Sequence, residues 1–322
     1  MSKPIIAVLC GGLTAERNIS LESGEIVFKN IDRNLFEPYK VLVNPDGWFE
    51  ESTGSRLDLN TFSFRFNEAN IQFQGAFVAI HGSPGEDGRL QGYLDMMHIP
   101  YTCCDNVVAA ITFNKSFCKQ VLRNQVSMAK GMLVRNGDQT AAQLIQSSFN
   151  LPVFVKPNNN GSSYGISKIK DWANLQTALD EGFQYDHEIL VEEGITGREV
   201  TCGVYRYQGE ILVLPLCEVL SGKHDFFNYT AKYTAGESQE IIPAPIPESE
   251  AARVRELSTA IYAFLGCKGV VRMDYIIQDG EPYFLEVNTV PGLSSASIVP
   301  QMARASGLTL SEFFSRLLNE SL

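Results

Sequence analysis

The alternation of apolar and polar residues is plainest between Gly269 and Ser297, where the chain reads GVVRMDYIIQDGEPYFLEVNTVPGLSSAS. β-Branched and aromatic residues over Val270–Ile277 and Glu281–Asn288 predict two strands joined by a tight turn at Gln278-Asp279-Gly280. A three-residue hairpin loop places glycine last, in the left-handed conformation, and Gly280 stands there. That register sets Ile277 opposite Glu281, Asp274 opposite Phe284 and Arg272 opposite Glu286. Side chains alternate along a strand, so Arg272, Asp274, Glu286 and Asn288 share one face. Val271, Met273, Tyr275, Tyr283, Leu285 and Val287 form the other face, a core. A two-residue Asp279-Gly280 loop would instead put Asp274 and Glu286 on opposite faces.

Elsewhere the pattern is coarser. Short apolar runs predict strands at Ile5–Leu9, Gly75–Ile80 and His187–Glu193. A strand ending at Lys156-Pro157 runs into a Gly/Ser/Asn loop, with a second strand from near Gly165. Arg198–Tyr207 and Glu210–Val219 read as a hairpin around Gln208-Gly209. Helical periods cover about Ser20–Ile31, Leu90–Met97, Asn114–Leu122, Ser249–Gly266 and Ser311–Leu318. Strand, Gly11-Gly12 turn and helix open the chain as a nucleotide-fold βα unit would, although G-x-G-x-x-G is absent. Ser221–Glu240 is long, polar and without a period, which predicts a lid or binding loop carrying Lys232 and Tyr233. There is no internal repeat.

Composition narrows the class. The 322 residues suffice for two or three domains, and 44% hydrophobic with 20% charged residues is globular. A net charge of −11 argues against nucleic acid or an anionic membrane as partner. No apolar run reaches membrane-spanning length, and the opening apolar run is too short for a secretory signal. The seven cysteines are scattered, without a C-x-x-C pair, and read as reduced thiols of a cytoplasmic protein.

Candidate chemistry follows from position. Two carboxylates and an amide on one rigid face suit magnesium, a hard cation commonly shared with substrate phosphates. The alternative is an exposed sheet face with one Arg–Glu pair. Glu16 lies at a strand's carboxyl end, where open α/β sheets bind ligands, although taken alone it more simply complements a helix N-terminus. His81 opens the loop HGSPGEDG, either bonding a substrate or capping the loop. Lys115, in the first turn of a helix, is a phosphate candidate or a solvated lysine. Lys156 with Ser162 and Ser163 fits a phosphate lid, against an ordinary hairpin tip. Glu192 and Glu193 stand where a base and ribose could be held. The Pro291–Ser297 turn offers backbone N–H groups as an anion cradle.

Taken in order, GGLTAERNISLESG, HGSPGEDGRLQG, FNKSFCK, VKPNNNGSSYGISK, Lys232-Tyr233, RMD and FLEVNTVPGLSSASIVP resemble the D-alanine–D-alanine ligases of the ATP-grasp superfamily. The resemblance covers nearly the whole chain. It implies an α/β (α+β) fold of three domains. Residues 1–105 would form a Rossmann-like open sheet for substrate, and 106–195 a central domain with the phosphate lid. Residues 196–322 would form a catalytic domain with the metal site and a lid loop over 221–240, ATP lying between these last two.

The implied reaction joins two D-alanines through an acyl phosphate, for peptidoglycan precursors. Asp274, Glu286 and Asn288 would hold two magnesium (or manganese) ions. Lys115, Lys156 and Lys232 would neutralise phosphate charge, and Ser163, Glu192, Glu193 and Ile195 would complete the ATP pocket. Arg272 and the Gly292 N–H would stabilise an oxyanion. Glu16, near His81, would hold the first ammonium, and Ser297 a carboxylate. Glu199, Ser162 and Tyr233 would latch the lid. Lactate-using relatives carry His at the position of Tyr233 and serine-using ones Arg at Ile298, so this chain should prefer D-alanine. The resemblance further implies a homodimer. Asn159, Asn160, Tyr164 and Gly194 depart from the usual pattern around ATP.

Overall fold

The computed structural model describes residues 3–161, 164–222 and 239–322. Ser162, Ser163, Lys232 and Tyr233, all expected at the site, lie outside the described residues.

The chain opens with β1 (Ile5–Gly11), α1 (Arg17–Asn30), β2 (Glu37–Asn44) and β3 (Gly47–Glu50). A small hairpin, β4 (Ser63–Phe66) and β5 (Ala69–Gln72), precedes β6 (Gly75–Val78) and α2 (Arg89–Met96). The first sheet has the order β3-β2-β1-β6, with β2 and β6 parallel to β1 and β3 antiparallel at the edge. β1 is buried on both faces, as its unbroken apolar run demands. Ile6 and Val8 face a core with Val27, Phe77 and Phe314. Ala7 and Leu9 face another with Phe62, Phe73 and Leu94. Gly24 lets α1 close on β1, because a Cβ there would stand 2.4 Å from that of Cys10. The parallel arrangement directs the strand ends, and with them Glu16 and His81, to one rim.

Two short helices follow, α3 (Asn106–Phe113) and α4 (Lys115–Leu122). Asp105 and Asn114 cap them, each side chain accepting a backbone N–H of the first turn. A second sheet, of order β7-β10-β8-β9, is built from β7 (Gly131–Arg135), β8 (Val153–Pro157), β9 (Ser167–Ile169) and β10 (Glu188–Glu193). Helices α5 (Ala141–Ser148) and α6 (Leu175–Gly182) pack on it around Ile145, Val153, Leu179 and Val191.

The third sheet is larger. β11 (Arg198–Tyr207) pairs with both β12 (Glu210–Val213) and β13 (Cys217–Leu220), so the predicted second strand is two, broken before Cys217. β14 (Gln239–Ile241), β15 (Val270–Gln278) and β16 (Glu281–Asn288) complete it. Helix α7 (Glu248–Leu265) covers one face with α3 and α4; Val108, Cys118 and Leu122 share its core with Val200, Met273 and Tyr275. The other face packs on α8 (Ile298–Ala305) and α9 (Leu310–Ser321). That same core holds Ile6, Val8 and Phe77, so the first and third sheets are joined by apolar contact, while the second keeps a core of its own.

Candidate active site

The β15–β16 hairpin corrects the predicted register. Gln278 pairs with Glu281, so the loop is the two residues Asp279 and Gly280, both at positive φ (52° and 79°). This is the favoured I′ hairpin geometry, in which Asp tolerates the left-handed conformation. Ile277 therefore opposes Pro282, and Tyr275 opposes Phe284. A bulge then intervenes: Asp274 pairs with Glu286 and Arg272 with Asn288, leaving Leu285 unmatched. The extra residue absorbs the one-step slip. Arg272, Asp274, Glu286 and Asn288 consequently share one face despite the shorter loop. Their partners are not those predicted: Asp274 does not face Phe284, nor Arg272 Glu286. Phe284 is fully buried in the core, whereas Tyr283 and Leu285, expected there, are half-buried. Leu285 lines the cleft instead.

Arg272 reaches along its own strand to Asp274. Its Nε donates to Oδ1 at 2.9 Å and its Nη2 to Oδ2 at 2.8 Å. Thr201 Oγ1 donates to Asp274 Oδ1 at 2.6 Å, and Asn288 Nδ2 to Oδ2 at 3.3 Å. These groups form a wall between two cavities. On one side lie Lys115, Lys156, Glu192, Glu193, Ile195, Glu199, Asp274 and Glu286, with Phe154, Ile276 and Leu285 as apolar surfaces. On the other lie Glu16, His81, Arg272, Asn288, Gly292, Ser297 and Ile298. Gly161 borders both. A side chain there would displace the Glu16 carboxylate, since a Cβ would stand 2.8 Å from both its oxygens.

The first cavity sets two lysines, Lys115 and Lys156, among five carboxylates. β8 alternates so that Phe154 and Lys156 face the cleft together, with Lys156 Nζ 5.4 Å from the Phe154 ring centroid. Lys156 Nζ bonds Glu192 Oε2 at 2.6 Å. Burial, the largest influence, would lower the lysine's pKa, but the charge and hydrogen bond of Glu192, joined by Glu286 and Glu199, together hold it above the usual range. Burial raises the Glu192 carboxyl, and Lys156 with Lys119 pull it below its ordinary value. Lys115 Nζ donates to the Asn160 carbonyl at the base of the 158–166 loop.

The departures around ATP find local partners. Asn159 bonds Asn114 at 2.8 Å and Asp186 at 2.9 Å. Tyr164 stacks on Tyr185 with ring centroids 6.4 Å apart. At Gly194 any Cβ would approach the Pro152 carbonyl to 2.8 Å, so an aromatic side chain has no room.

Models of two families match the chain: the D-ala D-ala ligase N-terminus over residues 5–104 and the D-ala D-ala ligase C-terminus over residues 124–319. The chain belongs to the D-alanine–D-alanine ligase family. It is 40% identical to a D-alanine–D-alanine ligase of Azobacteroides pseudotrichonymphae, over 97% of this chain and 98% of that one. A ligase of the same name from Phocaeicola vulgatus is also 40% identical, over 98% of each chain. Among solved structures, the VanG D-Ala:D-Ser ligase of Enterococcus faecalis aligns with a TM-score of 0.87 at 30% identity, over 100% of both chains. A D-alanine–D-alanine ligase of Bacillus anthracis complexed with ATP aligns with a TM-score of 0.78 at 26% identity, over 99% of this chain and 97% of that one. The ATP-grasp fold is thereby shown. No helix among the described residues is long and apolar enough to cross a membrane.

Against this family background, four acidic or basic groups at the site escaped the sequence reading, Glu22 of the second cavity among them. Glu240, on β14, lines the second cavity. Lys119 stands one turn beyond Lys115 on α4, a spacing that could have shown it. Glu86 lies within HGSPGEDG, where loop chemistry was legible but burial was not. Its carboxylate accepts N–H from Gly82 at 2.8 Å and from Val290 at 3.3 Å. Burial, reinforced by the Glu16 charge, pushes its pKa up to about 8.

His81 is buried beside it. Its Nδ1 must donate to the Val290 carbonyl (2.8 Å), because a carbonyl only accepts; Nε2 then accepts from Ser23 Oγ (2.9 Å). Burial, aided by Arg272 and opposed by Glu16 and the Val290 carbonyl, lowers its pKa and keeps the ring neutral at pH 7.

A raised carboxyl makes stability pH-dependent. The unfolded chain loses the Glu86 proton near pH 4.5 and the folded chain near pH 8. This contribution is whole below pH 4.5 and is lost as pH rises towards 8. Glu86→Gln should therefore flatten the stability curve between pH 5 and 8, by roughly 2 kcal/mol or more across the window. Chemical denaturation at pH 5 and pH 8 checks this; an unchanged slope would contradict a protonated Glu86.

Proposed function

We propose that this chain joins two D-alanines into D-alanyl-D-alanine, converting ATP to ADP and phosphate, for peptidoglycan precursor synthesis. Family membership carries the ATP-dependent ligation. The observation that carries the site is the wall itself: Arg272 and Asp274 separate a lysine-lined cavity from a chamber holding Glu16, His81, Gly292 and Ser297.

ATP fits the first cavity, its base against Phe154, Ile276 and Leu285, near Glu192, Glu193 and Ile195. Its phosphates point toward Lys115 and Lys156, with Ser162, Ser163 and Lys232 joining from segments outside the described residues. Two D-alanines fit the second. Glu16 holds the first ammonium, and the neutral His81 donates no charge of its own. The first carboxylate attacks the γ-phosphate, the bond from the γ-phosphorus to the bridging oxygen breaks, and ADP leaves an acyl phosphate behind. The second amine then attacks that carbonyl, and phosphate leaves. Arg272 and the Gly292 N–H stabilise the oxyanion formed in between, while Ser297 holds a carboxylate. Glu199, Ser162 and Tyr233 close the lid, which excludes water from an intermediate that water would hydrolyse.

The donor set of Asp274, Glu286 and the Asn288 amide is all oxygen and fits a hard divalent cation. Among the described residues no cluster of three or more His, Cys, Asp or Glu offers another. Two magnesium or manganese ions bound there would neutralise phosphate charge. Buried, apolar Ile298 beside Ser297 favours D-alanine as acceptor. We place the enzyme in the cytoplasm, as a homodimer.

The test is phosphate release together with dipeptide mass. Purified protein with ATP, magnesium and D-alanine should release phosphate and form D-alanyl-D-alanine, while L-alanine gives background. Equal release with L-alanine would overturn the reading.

A further inference from the structure

Glu192 is nearly fully buried yet meets two lysines. Its Oε2 is bonded by Lys156 Nζ at 2.6 Å, and its Oε1 pairs with Lys119 Nζ. Lys119 is itself buried and donates to the Ala129 carbonyl at 3.1 Å. The three residues come from two different bodies. Lys156 and Glu192 belong to the second sheet, on β8 and β10. Lys119 belongs to α4, whose neighbours Cys118 and Leu122 sit in the core of the third sheet. The N-terminus of α4 is docked on the second sheet as well. The Lys115 N–H donates to the Asn158 carbonyl at 3.0 Å, and the Ser116 N–H to Asn158 Oδ1 at 2.9 Å.

The charges decide what the arrangement does. Two ammoniums and one carboxylate leave one net positive charge at the floor of the cavity. Without Lys119, Glu192 would neutralise Lys156 alone, and nothing positive would remain in this group to attract a polyphosphate. Coulomb attraction is strong where water is excluded, so that loss should be felt at the phosphates.

We propose that Lys119 is a positioning residue for ATP: by sharing Glu192 it keeps the Lys156 charge available to the phosphates and ties the second sheet to the third across the cleft floor. The inference rests on the nucleotide reading of that cavity.

Calorimetric titration of the purified enzyme with ATP and with adenosine tests it. Lys119→Met should bind ATP about tenfold more weakly and adenosine unchanged, and KM for ATP should rise without a matching rise for D-alanine. Lys119→Arg should restore ATP binding. Lys119→Met combined with Glu192→Gln, which removes one charge of each sign, should bind ATP more tightly relative to adenosine than Lys119→Met alone, and it serves if the single variant does not fold. Equal ATP binding by Lys119→Met and wild type, parallel loss of adenosine, or no recovery in the double variant would overturn the proposal. Failure of the wild type to bind ATP would instead overturn the nucleotide reading.

Discussion

Arg272→Ala lowers kcat/KM for dipeptide formation about 200-fold, roughly 3 kcal/mol of barrier, with little change in ATP binding. The guanidinium stands at the wall between the two cavities, held in place by three hydrogen bonds to Asp274. A preorganised donor of this kind acts on charge that develops only during reaction, so its loss appears mainly in kcat. Removing it also releases the Asp274 carboxylate to Thr201 and Asn288 alone. Steady-state kinetics with a parallel melting curve measure both consequences. An alanine variant with full ligase activity would end the mechanism proposed above.

Glu286→Gln has the second large effect: turnover falls at least about 1,000-fold, and raising magnesium recovers only part of it. Glutamine keeps the shape but removes the charge that, with Asp274, would hold the divalent ion proposed above. Chelation of the wild-type enzyme should bring turnover to the same floor, and added magnesium should restore it fully. Undiminished turnover in excess chelator would show that Asp274 and Glu286 serve another purpose.

How far the sequence could be read is clearest at the hairpin. Alternation put Arg272, Asp274, Glu286 and Asn288 on one face, which holds. The cross-strand partners did not follow, because two local choices cancel. Asp279 adopts the left-handed conformation and shortens the loop by one, and Leu285 bulges and restores the parity. Neither is written in hydrophobic pattern: Leu285 reads as an ordinary inward residue until its neighbour Phe284 is seen filling the core. The first strand was legible for the opposite reason, since an unbroken apolar run has a single physical meaning in a sheet covered on both sides. Lys119 and Glu192 illustrate a third case. Lys119 looks like a surface charge and Glu192 like a nucleotide contact, and only the docking of α4 against the second sheet shows them buried as a pair. Glu86 is similar, an acid in a glycine-rich loop whose raised pKa comes from burial and from the charge of Glu16, far away in sequence.

The apolar core shared by the first and third sheets has a consequence for how the chain responds to heat or denaturant. Residues 131–193 carry their own small interior and meet α4 through the Lys119–Glu192 ion pair and backbone docking. Such a chain holds two cooperative units of unequal size, and the smaller can unravel while the larger endures. A single melting temperature would therefore average two events, and nucleotide, bridging both units, would draw them into one.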